Sequence, residues 1–153
     1  MSQHFQQLLD QVAEHFTKTM TFTQNFGMEV QHFDESSIII HCPFHQGLEG
    51  NMMHNILHGG ATATMLDTAS GMVAISSAFA KHPEDSMEEH KARVSKTATI
   101  DLRIDYLRPG RGDFFKIKAQ VLRAGNVITA VQSQLYNQDD VLLASGNGTY
   151  KVG

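Results

Sequence analysis

Asp67 is the lone carboxylate in ILHGGATATMLDTASG, residues 56–71, otherwise the least charged stretch of the chain. A carboxylate taken out of water without a partner is strongly disfavoured or shifts its pKa upward, so its place there needs a reason. One reason is structural: the side chain accepts hydrogen bonds from nearby hydroxyls such as Thr64 or Ser70. The other is chemical: a general base or water-orienting group tuned by its surroundings. His58-Gly59-Gly60 upstream tips the balance towards chemistry. Two glycines at a helix start let a ligand approach the backbone, and the unpaired N–H groups there suit a developing oxyanion. An oxyanion donor together with a carboxylate points to acyl transfer.

Spacing limits how the two cooperate. Gly59 and Asp67 are eight residues apart, roughly 12 Å along one helix at about 1.5 Å per residue. A water held by Asp67 must come within about 3 Å of a carbonyl carbon whose oxygen touches the Gly59 N–H, too close for that gap. Two copies of the helix packed antiparallel about a two-fold axis would set Gly59 of one beside Asp67 of the other. The expectation is a homodimer with two composite sites.

The elements that position these residues follow from periodicity. Phe5, Leu8, Leu9, Val12 and Phe16 predict an amphipathic helix over 3–19, packed on the outside of the domain. FGMEVQHF and SSIIIHC predict a hairpin around Asp34-Glu35-Ser36, and residues 43–57 read as irregular. From Gly60 to about Ala80 the apolar composition predicts a helix covered on most of its surface. Ser86 and Glu89 stand at capping-box spacing within 81–95, predicting a short surface helix. In TATIDLRIDYL, alternation puts Ala98, Ile100, Leu102, Ile104 and Tyr106 on one face, and Thr97, Thr99, Asp101, Arg103 and Asp105 on the other. Three more strands follow after Arg108-Pro109-Gly110-Arg111-Gly112, joined at Gly125-Asn126 and at residues 137–140. The order β-β-α-β-β-β-β implies an α+β fold, an antiparallel sheet wrapped around one long central helix.

Composition narrows the function classes. A chain of 153 residues, 41% hydrophobic and 18% charged, suits one globular domain. The N-terminal residues lack the basic and apolar regions of a signal peptide, so a cytoplasmic protein is expected, and the single cysteine, Cys42, agrees with a reducing compartment. Asp67 and several Ser and Thr make residues 61–80 a poor membrane span. Nine Lys and Arg between 91 and 123 face only three Asp, a local charge of +6 on a chain of −4 overall. That asymmetry fits either a solvated strand face or a site for a small anion. Nucleic acid is disfavoured, because the basic strands carry no interleaved aromatic platform. Nine histidines invite a metal reading through His41, Cys42, His45, His54 and His58, but the glycines after His58 break the helical spacing and no metal is expected.

LHGGATATMLD, TIDLRIDYLRPGRG, LRAGN and ASGNGTYKV together resemble the hotdog-fold acyl-CoA thioesterases of the PaaI-like group, and especially its YigI-type branch, associated with medium- and long-chain acyl-CoA. The resemblance covers residues 25–151 and implies a hotdog domain over 25–153 with a helical extension over 1–24. It makes Asp67 the carboxylate that activates water or attacks directly, Gly59 the backbone donor to the thioester carbonyl, His58 the support of that loop, and Thr99 a hydroxyl that helps position water. Position 52, where some relatives carry a polar residue, is Met here. For the CoA moiety the resemblance implicates Arg108, Gly110, Arg123, Gly125 and Asn126; CoA is part of the substrate, and no separate cofactor is implied. The minimal unit is a homodimer and the expected assembly a homotetramer. Two other readings stay open: a hydratase or dehydratase of acyl thioesters, and a non-catalytic acyl-CoA binder. Met52, Met53, Met65 and Met72 lie close to the site in sequence and fit either an adaptable acyl groove or core filling.

Overall fold

The computed structural model describes residues 2–51 and 53–153, so the expectations attached to Met52 lie outside the described residues. Helix α1, Gln3–Glu14, is capped by the Ser2 side chain and buries Leu8, Leu9 and Val12. It does not run on to residue 19 as an α-helix. His15–Thr19 opens into a wider turn closed by the Met20 N–H on the His15 carbonyl at 2.8 Å, the five-residue step of a π-turn. The α1 apolar face joins the central hydrophobic cluster while its polar residues stay exposed, so the helix packs on the outside of the domain as its periodicity predicts.

Strands β1, Glu29–Phe33, and β2, Ser37–Pro43, form the expected hairpin. Its turn is held by Asp34 Oδ1, which accepts from the Ser36 and Ser37 N–H groups at 2.8 and 2.7 Å. Residues 43–57 are more ordered than their composition predicts: β3, Glu49–Asn51, pairs with β4, Ile56–Leu57, in a small ribbon. Helix α2, Gly59–Lys81, follows, then α3, Met87–Lys96, which carries the predicted capping box between Ser86 and Glu89.

Strands β5, Ala98–Tyr106, β6, Phe114–Ala124, β7, Ile128–Asn137, and β8, Leu142–Lys151, complete an antiparallel six-stranded sheet of order β1-β2-β6-β7-β8-β5. The sheet wraps α2, which touches β2, β5, β6, β7 and β8. That is the architecture the sequence implies. Almost every α2 side chain from Ala61 to Phe79 is buried; the incompletely covered residues Gly60, Ala63, Thr64 and Asp67 recur at helical spacing and form one stripe. Among the described residues no helix is long and apolar enough to cross a membrane.

The alternation expected along β5 fails at one point. Thr99 pairs with Tyr150 and Asp101 with Thr149, so Ile100 is an extra residue opposite no partner. This bulge reverses the facing of the strand's first residues. Thr99 joins the inward face of Leu102 and Ile104, while Ile100 turns outward and is 56% exposed.

Helix α3 buries His90, whose ring meets Phe79 of α2 edge-on at 4.6 Å between centroids. Burial lowers the pKa of His90, against the opposing charge of Asp85 and with help from His4, Arg93 and His82. The folded state therefore disfavours the charged ring. The penalty is absent above the ordinary value of 6.5 and grows as pH falls from there towards the lowered folded value. Thermal melts are expected to show the Tm falling on acidification below about pH 6.5, and falling less in His90→Leu.

Candidate active site

Helix α2 presents Asp67 on its incompletely covered stripe, and two neighbouring strands supply its donors. Thr99 on β5 and Tyr150 on β8 are direct cross-strand partners. Both hydroxyls donate to Asp67 Oδ1, each at 3.0 Å. Thr64 is not a partner, because its hydroxyl donates to the Gly60 carbonyl at 2.9 Å, and Ser70 does not reach the carboxylate. Oδ2 has no partner among the described residues and is left to take a proton from water or to bind one. Two charge-assisted bonds on one oxygen fix the carboxylate's orientation.

Tyr150 was not legible in the sequence as a site residue. It is 1% exposed, and burial, followed by the nearby Asp67 charge, raises its pKa, so the phenol remains a donor. Gly148 makes room for it: a Cβ there would lie 2.7 Å from the Tyr150 ring and 2.8 Å from its hydroxyl. Tyr150→Phe keeps the packing and removes one donor to a charged acceptor. Steady-state kinetics should show kcat falling by about tenfold to a hundredfold with Tm nearly unchanged. An unchanged kcat would remove Tyr150 from the site.

The pocket at Asp67 measures about 260 Å³, with Thr64, Thr68, Gly71 and Ile75 of α2 on one side and Phe16, Met20, Phe22 and Thr23 from the N-terminal segment on another. The segment preceding β1 therefore shapes the site. The methionines near Asp67 in sequence do not: Met65 and Met72 are fully buried in the core, and Met53 is 88% exposed.

His58 caps α2. Its Nδ1 accepts the Gly60 N–H at 2.8 Å, and its own N–H reaches the Leu48 carbonyl at 2.8 Å, anchoring the loop to the β3 region. Residue 60 must be glycine for this, since a Cβ would stand 2.9 Å from His58 Nδ1. The neighbouring Gly59 N–H has no partner among the described residues, and the Gly59 carbonyl accepts from the Tyr106 hydroxyl at 2.9 Å. Gly59 does not line the Asp67 pocket. One chain thus holds the carboxylate and the candidate oxyanion donor in separate places, as the helical spacing requires.

The basic residues divide likewise. Gly110 accepts the Leu57 N–H at 2.9 Å, Arg111 donates to the His54 carbonyl at 3.2 Å, and Arg108 donates to the Leu142 carbonyl at 2.9 Å. The Arg-Pro-Gly turn is therefore fastened beside the start of α2. Arg123, Gly125 and Asn126 lie at the other end of β6, about 33 Å away along eleven residues at about 3.3 Å per step. The positive charge is not one patch either. Arg93, Lys91, Arg103 and Lys116 pair with Asp85, Glu88, Asp105 and Asp140, and Lys118 sits 5.0 Å from the Tyr136 ring centroid. The metal candidates are scattered: among the described residues no three His, Cys, Asp or Glu side chains cluster as ligands. Cys42 is buried, with its thiol pushed up to about 12 by burial.

Comparison with known proteins decides the family. A sequence profile of the Thioesterase superfamily matches residues 54–144, the span that carries His58, Gly59, Asp67 and Thr99. The chain belongs to the thioesterase superfamily. Two curated relatives, from Escherichia coli strain K12 and Salmonella typhimurium, are each 38% identical over 148 residues, 97% of this chain and 96% of theirs. Both carry the name medium/long-chain acyl-CoA thioesterase YigI. A crystal structure from Shewanella oneidensis, described as related to the thioesterase superfamily, superposes with a TM-score of 0.94 at 35% identity, covering all of both chains. Within this superfamily member, the residues that the sequence singles out sit as follows. Thr99 and Asp67 are in contact, His58 and Gly59 form the start of the same helix, and the two CoA candidate groups occupy opposite ends of the sheet.

Proposed function

We propose that this superfamily member hydrolyses acyl-CoA to a free acid and CoA, with medium- and long-chain or aryl-acyl thioesters as substrates, as a PaaI-like homodimer with composite sites that pairs into a homotetramer. The observation that carries this reading is the Asp67 carboxylate, oriented by Thr99 and Tyr150 through one oxygen and unpartnered among the described residues at the other, in a pocket walled by both apolar side chains and threonines. The names of the curated relatives support the medium- and long-chain part of that range.

In this mechanism Asp67 takes a proton from water as the water oxygen bonds to the thioester carbonyl carbon. The Gly59 N–H of the second copy receives the charge on the carbonyl oxygen. The tetrahedral adduct collapses with cleavage of the C–S bond, and the thiolate leaves with little need of acid. Arg108 and Gly110 of one copy and the Arg123 to Asn126 hairpin of another receive the CoA phosphates, because no single chain brings both groups to one ligand; arginine's fork suits that role. No cofactor takes part.

A dimer is supported by two features of the isolated chain. The Gly60, Ala63, Thr64 and Asp67 stripe of small side chains is incompletely covered, and β5 is a sheet edge exposing Ile100 and Tyr106 at 56% each, with Leu107 just beyond it at 49%. A hydratase would rest on a catalytic histidine, and His58 commits Nδ1 to the helix cap.

The test is release of free CoA from a panel of acyl-CoA chain lengths by the purified protein. Hydrolysis that rises from short to longer chains is expected. Tight binding with no release at any length would replace the enzyme by a binder.

A further inference from the structure

A second cavity of about 280 Å³ lies under α1 and α3, lined by Leu8, Val12, Phe79, Met87 and His90 among others. The surface of its lining is mostly apolar, with Gln11, His15, Lys91 and Ser95 also at the wall, and Phe16 and Val94 belong to its wall and to the wall of the Asp67 pocket alike. The two cavities therefore adjoin at one aromatic and one aliphatic side chain. The floor is continuous as well. Asp67, Gly71 and Ile75 line the first pocket and Phe79 the second, and at a spacing of four residues they follow one another along a face of α2 that winds by about 120° around the axis. From Asp67 to Phe79 that face measures roughly 18 Å at about 1.5 Å per residue.

Together with the acyl-CoA reading, on which this rests, we propose that the α1–α3 cavity is the distal acyl-chain subsite, entered from Asp67 through the Phe16–Val94 neck. A short acyl group ends within the first pocket; a medium or long tail passes the neck and buries its terminal carbons against Val12, Phe79 and Met87. The segment that extends the domain at its N-terminus then acts as the chain-length gauge. The π-turn at His15–Thr19 fits this role, because the extra residue in the turn re-aims Phe16 to the neck at the end of an otherwise regular helix. Lys91 at the wall is paired with Glu88 at 3.2 Å, and burial favours the neutral form of His90.

The experiment compares wild type with Val12→Phe, which fills the inner cavity, and with Met87→Trp, which fills it from the α3 side should the first variant fold poorly. The readout is the ratio of kcat/KM for dodecanoyl-CoA to that for butanoyl-CoA. Filling the cavity should lower this ratio tenfold or more, because each methylene kept out of buried space is worth about fourfold. A merely structural lesion lowers both values alike and leaves the ratio in place. A ratio that stays within about twofold of wild type in folded variants overturns the proposal. Calorimetric binding of dodecanoate to the same proteins separates the subsite from the reaction. If the wild type releases CoA from no thioester, the hydrolase reading fails, yet weaker dodecanoate binding by the filled variants would still uphold the subsite, and equal binding would overturn it.

Discussion

Asp67→Asn is expected to lower kcat/KM for acyl-CoA by about 10²- to 10⁴-fold, the range that a positioned base contributes, while the Tm stays close to wild type. The substitution conserves shape. An amide oxygen at the Oδ1 position still accepts from the Thr99 and Tyr150 hydroxyls, which in the native chain reach it at 3.0 Å each. Where Oδ2 had no partner among the described residues, an NH₂ group now stands that donates and cannot take a proton. The change therefore removes the charge and the acceptor without cutting the contacts that join α2 to β5 and β8. Release of free CoA, with a melting curve on the same sample, measures both halves of the expectation. Wild-type rates on every chain length would show that Asp67 is only a structural acceptor.

The second large effect concerns who owns the oxyanion donor. Gly59→Pro deletes the Gly59 N–H at the first position of α2, where proline is well tolerated. His58 already has φ −63° and ψ 137°, the extended conformation that a residue before proline prefers, and a Cβ on residue 59 meets only the Tyr106 ring, at 3.5 Å. Each variant homodimer, Asp67→Asn or Gly59→Pro, should lose at least about a hundredfold in kcat. A mixed dimer holds one site with both native groups, so random exchange of equal amounts should recover about a quarter of wild-type activity. Mixed dimers purified through two different affinity tags should recover about half. Absence of recovery in a confirmed mixed dimer would mean that the site is not shared.

Much of this site was legible because its signals are local. The lone carboxylate in residues 56–71, the glycine pair before it and the apolar run around it lie on one continuous helix, whose rise turns sequence separation into distance. The hydroxyl donors were not legible in the same way. Strict alternation sends Thr99 outward with Asp101 and Arg103, and the bulge at Ile100 reverses that. Tyr150 reaches Asp67 across 83 residues of chain through a β5–β8 pairing that no turn encodes. Charge counting along the chain did not show that ion pairs with Asp85, Glu88, Asp105 and Asp140 disperse part of the basic segment over separate elements.

By itself the sequence determined the order of the main elements, the wrapped central helix and the lone carboxylate upon it, since periodicity and spacing act within single helices and strands. Only the tertiary structure decided what surrounds that carboxylate. It set Thr99 against Tyr150, brought Phe16 and Met20 to the pocket, and placed a second apolar cavity behind the first. The physical reason is that these neighbours are chosen by sheet order, by one bulge and by the packing of α1 and α3 on α2, and each of these is settled by burial of the whole core rather than by any local stretch of residues.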